Sequence, residues 1–144
     1  ERHSRHWKAH VASALKGAAF YLSEDERKHA AFSLHQAVER AYICVLLVHT
    51  FYFPRSHNIK FLRSLAEDVD KSIIAAWPRD TKVDRRRFET LKRAYVEARY
   101  SDQYDVSEED LRALQQAAQA HAALLDATAE RRISDLRRGA KGSS

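Results

Sequence analysis

Apolar residues recur along most of this chain at three- and four-residue steps, the signature of helices that bury one face. Trp7, Val11, Ala14, Leu15 and Ala18 place a first helix near residues 5–22. Ser23 and Glu26 are spaced as a capping box, with a serine accepting from a free amide and a glutamate reaching back. A long stripe follows through Ala30, Leu34, Ala37, Val38, Ala41, Tyr42, Val45 and His49, so a second helix is predicted over about 24–50. Pro54 stops it. Ile59, Leu62, Leu65, Ala66 and Val69 predict a third helix over about 58–70, capped by Ser56 or Asn58. Trp77 to Asp80 reads as a connection. Phe88, Leu91, Ala94, Tyr95 and Ala98 predict a fourth helix over about 82–100. After a polar and aromatic stretch at 101–106, Ser107 and Asp110 open a fifth, about 108–137, through Leu111, Leu114, Ala118, Leu125, Ala129, Ile133 and Leu136. The expectation is an all-α, antiparallel up-and-down bundle of about five helices.

Composition agrees. Only 3 Gly and 2 Pro interrupt 144 residues that are 44% apolar and 31% charged. The length suits one domain, read as 1–138, with 139–144 as a disordered end or an expression scar. The sequence opens at Glu1 without Met and is read as a segment of a longer protein, with any catalytic domain outside it. A single cysteine, Cys44, precludes an internal disulfide and reads as a small buried hydrophobe. Its run Ile43–Val48 is too short to span a bilayer, so a cytoplasmic protein without a membrane partner is expected. The net charge of +5 leans toward anionic partners.

Two clusters can carry chemistry. In Arg99-Tyr100-Ser101-Asp102-Gln103-Tyr104, Arg99 offers phosphate a planar fork, Tyr100 and Tyr104 offer stacking faces, and Asp102 can accept from a ribose hydroxyl or hold Arg99. The bland alternative is an Arg–Asp pair closing a helix end. In Arg55-Ser56-His57-Asn58-Ile59-Lys60, amides at a helix start make an anion site, against the alternative of an ordinary capped turn. His3, His6 and His10 are helically spaced but lack an acidic or thiolate companion, so no metal is expected. The arginines at 85–87, 131–132 and 137–138 are interspersed with acids and read as solvated faces. No glycine-rich phosphate loop, GxSxG, HExxH or cysteine-pair motif is present.

Three segments together resemble HEPN domains, the "higher eukaryotes and prokaryotes nucleotide-binding" family. Phe32 to Tyr42 is similar to their second-helix signature. His57-Asn58-Ile59-Lys60-Phe61-Leu62 resembles their H-N/D-L-x-x-L segment. Ala94 to Ser101, with Tyr104 and Ser107 to Leu111, resembles their AY-x-x-ARYS/P stretch. The resemblance implies a four-to-five-helix bundle, commonly a homodimer, and a subgroup that follows a polymerase-β-like nucleotidyltransferase domain. Many relatives are metal-independent ribonucleases through Arg-x(4–6)-His. Here the matching positions after Arg99 hold Tyr104, Asp105 and Val106, while Arg5 and His10 have the spacing at the wrong end of the bundle. The expected function is therefore a non-catalytic module, without cofactor, that binds a nucleotide or assists a nucleotidyltransferase domain or partner. Its expected site comprises Arg99, Tyr100, Asp102, Tyr104, His57, Asn58 and Lys60. The alternatives are an RNA-binding or RNA-cleaving toxin-like protein and an inert dimerisation module. DNA is not expected as a partner.

Overall fold

A computed structural model describes the backbone of residues 2–142 and the side chains of 5–141. Within these residues the chain forms five α-helices and no strand: α1 (Arg2–Ser23), α2 (Arg27–Thr50), α3 (Ile59–Val69), α4 (Lys82–Tyr100) and α5 (Glu108–Gly142). A 3-10 segment, Lys71–Ala76, sits between α3 and α4, where no element was expected. α5 continues four residues past the expected domain end at 138, while Ser143 and Ser144 lie outside the described residues.

α2 is the axis of the bundle and packs against each of the other four helices. Ala30, Leu34, Val38, Tyr42 and Val45 are all essentially inaccessible to solvent. This burial also explains its composition. α2 is long and apolar enough to cross a membrane, unlike the short run at 43–48 alone, yet 67% of its most apolar window is buried inside the bundle. α1 and α4 run antiparallel to it. Trp7, near the start of α1, meets Phe53 just past the end of α2, and Lys28 at the start of α2 donates to the Ser101 carbonyl beyond the end of α4.

Local chemistry sets the turns. The expected capping box does not form, because Ser23 is still in the last turn of α1 and its hydroxyl donates back to the Phe20 carbonyl at 2.6 Å. Asp25 instead takes the left-handed conformation (φ 57°), with Glu26 N–H on Tyr21 O and Asp25 N–H on Leu22 O, a Schellman closure. Asn58 caps α3, accepting from the amides of Lys60 (3.0 Å) and Phe61 (3.3 Å). Thr81 and Ser107 cap α4 and α5 by accepting from Asp84 and Asp110 N–H.

α2 ends on Phe51, left-handed at φ 60° and ψ 19°. A bulky side chain in that region costs about 1–2 kcal/mol, and glycine removes the cost. The expected result of Phe51→Gly is a protein more stable by about 1 kcal/mol, read from the urea midpoint at unchanged m-value.

The deepest polar group is His121. Trp77 Nε1–H donates to its Nδ1 at 2.9 Å, so its other nitrogen, Nε2, carries the proton and donates to Val38 O at 3.3 Å. Tyr42 meets the ring edge-on at 4.5 Å between centroids. This bond draws Trp77, expected in a connection, into the core.

Candidate functional site

The middle of α2, the C-terminal half of α4 and the 51–58 loop converge on Tyr95. His57 stacks on the Tyr95 ring at 4.1 Å and 12° between planes. Phe32 stacks at 5.9 Å, and the Arg99 guanidinium lies 4.6 Å from the same ring centroid. Arg99 is also 4.8 Å from Phe32 and 5.0 Å from Tyr100. Helical spacing explains part of this: Tyr95 and Arg99 are one turn apart on α4, and Arg99 Nε donates to Tyr95 O at 2.9 Å.

Arg99 is solvent-exposed and forms no ion pair with any described residue. The expected alternative, an Arg99–Asp102 pair closing the helix end, is not what forms. Asp102 is exposed, and Tyr100 is 76% exposed. The rings fix the plane of the guanidinium while its terminal nitrogens stay open to solvent, an arrangement suited to a bidentate anion.

Tyr104 departs from expectation. It is only 4% exposed, and its hydroxyl donates to Thr90 O at 3.0 Å. Burial pushes the phenol up to about 12. It pins the 101–107 loop to α4 and offers no face to a ligand. Asn58 is also structural, since its side-chain oxygen serves the two α3 amides that an anion would otherwise use. Lys60, exposed on the first turn of α3, remains available.

His57 is held on three sides. Its Nδ1 is 2.7 Å from a Glu39 carboxylate oxygen, its ring lies on Tyr95, and its carbonyl accepts from His35 Nε2 at 3.0 Å. Glu39 is 4% exposed, and burial raises its pKa against the opposing pull of His57. A carboxylate there requires the proton on His57 Nδ1 and turns Nε2 outward. His35, fully buried, is pushed down to about 4 by desolvation and stays neutral. His57 separates two clefts of about 330 Å³. One is lined by Glu39, Arg40 and Arg55, the other by Lys92, Arg93 and Tyr95.

Sequence reasoning placed Tyr95 on a buried stripe and Phe32 in a signature, but assigned neither to the site. Tyr95 is half-buried and carries His57, Phe32 and Arg99 against its ring, contacts across elements that periodicity cannot reveal. Among the described residues no three His, Cys, Asp or Glu side chains gather to hold a metal. His6 and His10 lie 4.3 Å apart without a third ligand, and the side chain of His3 lies outside the described residues.

A family model for the HEPN domain matches residues 4–134, nearly the whole chain. The chain belongs to the HEPN family. That membership agrees with the six-element helical architecture and ties the chain, at family level, to nucleotide- or RNA-related function. No curated protein matches the sequence. The three segments on which the resemblance rests meet around Tyr95 in this HEPN domain, since Phe32, His57 and Arg99 each contact its ring.

Proposed function

We propose that this HEPN domain binds a nucleotide without cleaving it and presents it to a nucleotidyltransferase domain, fused or separate. Arg99 takes phosphate, with Lys60 as a second cation. Tyr100 stacks the base, Asp102 accepts from the ribose, and His57 on Tyr95 forms the wall. The observation that carries this reading is an exposed arginine held by three aromatic rings with no carboxylate to neutralise it. The test is calorimetric titration with ATP, GTP, CTP and UTP. Saturable binding of at least one is expected, weakened about tenfold or more by Arg99→Ala, since charge-assisted bonds to phosphate contribute roughly 1.5–3 kcal/mol. Tyr104→Phe should bind as the wild type does. Binding indifferent to Arg99→Ala would remove the assignment.

One observation favours a second reading, RNA cleavage. The histidine missing after Arg99 in sequence has a counterpart in space, because His57 and Arg99 contact the same Tyr95 ring. Glu39 orients His57 in the manner of a general base. In EDTA, single-stranded RNA should then be cut by the wild type and left intact by His57→Ala. Cleavage that survives His57→Ala excludes this role.

A further inference from the structure

The cleft bounded by Glu39, Arg40 and Arg55 has no part in the nucleotide reading above. It holds about 330 Å³, near the lower end of the range for small-ligand pockets. It shares His57 and Glu39 with the Tyr95 site, but Arg99 does not line it. Three elements build it. α1 contributes Trp7 and His10, α2 contributes Glu39 and Arg40, and the loop after α2 contributes Phe53 and Arg55.

Neither arginine has a counter-ion of its own. Arg55 is exposed and forms no hydrogen bond or ion pair with any described residue. Arg40 is half-buried, and its guanidinium reaches only neutral groups, the His10 carbonyl at 3.5 Å and the Gln36 side-chain oxygen at 3.4 Å. Among the described residues of the lining Glu39 is the one carboxylate, and it lies within electrostatic range of Arg40. Glu39 is only 4% exposed, however, and its Oε1 is already bonded to His57 at 2.7 Å. Two guanidiniums against one carboxylate leave the lining net positive with both histidines neutral. Long bonds to neutral partners under-satisfy a half-buried guanidinium, and a phosphate oxygen is a better acceptor than either.

The opposite wall is aromatic. Trp7 and Phe53 meet edge-on at 5.7 Å between centroids, and both are partly exposed. Aromatic surface beside two arginines suits a planar ring that carries a phosphate. Inorganic phosphate would use the arginines alone, and an uncharged ring would leave them unpaired.

We propose that this cleft is a second ligand site, one that takes a phosphomonoester borne on a planar ring, directly or through a ribose. Arg40 and Arg55 hold the phosphate dianion, while Trp7 and Phe53 pack against the ring. The site stands on its own residues and survives if Arg99 binds nothing.

The test uses the Arg99→Ala protein, from which the other phosphate receptor is gone. Inorganic phosphate, phenyl phosphate and AMP are titrated in turn while the side-chain N–H signals of Arg40, Arg55 and Trp7 are followed by NMR. These signals should shift together to saturation, while the indole N–H of Trp77, bonded to His121, stays fixed. Phenyl phosphate or AMP should bind about tenfold more tightly than inorganic phosphate, the scale of aromatic stacking. The tighter of the two identifies the carrier. Arg55→Ala breaks no contact within the chain, so its urea unfolding should be unchanged while binding weakens about tenfold or more. Binding indifferent to Arg55→Ala, inorganic phosphate bound as tightly as both esters, or no shift with any probe would overturn the proposal. Because Arg99 is absent throughout, failure of this site and failure of the Arg99 assignment are read separately.

Discussion

Acidification is expected to destabilise this bundle steeply below about pH 6.5, because two buried histidines must stay neutral for it to hold together. Burial pushes His35 down to about 4 and His121 down to about 3. Above the ordinary imidazole value both are neutral in the folded and unfolded chain, and no pH dependence arises from them. Below it the unfolded chain binds protons that the folded chain refuses, so stability falls as pH falls. The fall continues until the folded-state values are reached, near 4 and 3. Each unit of separation is worth about 1.4 kcal/mol. Two histidines together therefore remove several kcal/mol by pH 4, a large share of the roughly 5–15 kcal/mol a domain holds. Glu39 opposes the trend, since burial raises its pKa and favours the folded state on protonation, but it is a single group. Asp110 adds to the loss only below about pH 4, where the unfolded carboxylate takes up protons that folded Asp110, held at about 2 by Arg86 and Arg87, still refuses. Thermal midpoints measured from pH 8 to 4 should be flat to about 6.5 and then decline. A midpoint unchanged down to pH 4 contradicts neutral burial of the pair.

His121→Ala should destabilise by about 3–4 kcal/mol at neutral pH, among the largest effects of any single substitution here. Three losses combine. The Trp77 indole N–H loses its acceptor in a buried setting, Val38 O loses a donor, and Tyr42 loses an edge-on ring partner. An orphaned buried donor alone costs about 1–3 kcal/mol, and the void adds to it. Trp77→Phe in the His121→Ala background should cost less than in the wild type, because the indole donor is already unpaired there. Urea unfolding of the four proteins checks both expectations. Additive losses would show that the Trp77–His121 bond contributes nothing of its own.

The helices were legible wherever period and caps agreed. α4 lies at 82–100 as expected, because an apolar stripe runs from Phe88 to Ala98; Thr81, not singled out in the sequence, caps its start. The 3-10 segment at 71–76 is too short to show a period, so Ile73 and Trp77 were not recognisable as core. His121 was recognisable in principle, since Leu114, Ala118, His121 and Leu125 follow steps of four, three and four. The candidate site was half legible. Arg99 and Tyr100 are exposed where the motif places them, but the 101–106 segment has no period to assign faces, so Tyr104 passed for a surface ring. His57 was found as a loop residue, whereas Glu39, His35 and Tyr95, which fix it, are brought there only by helix packing.

The central claim, that Arg99 on its aromatic support receives a nucleotide, is tested most directly by NMR. The Nε–Hε signals of ¹⁵N-arginine-labelled protein are followed while the tightest-binding nucleotide is titrated. The Arg99 signal and the ring signals of Tyr100 and Tyr95 are expected to shift together to saturation, while those of buried Tyr104 stay fixed. Saturable binding that moves other arginines and leaves Arg99 and Tyr100 untouched would contradict it.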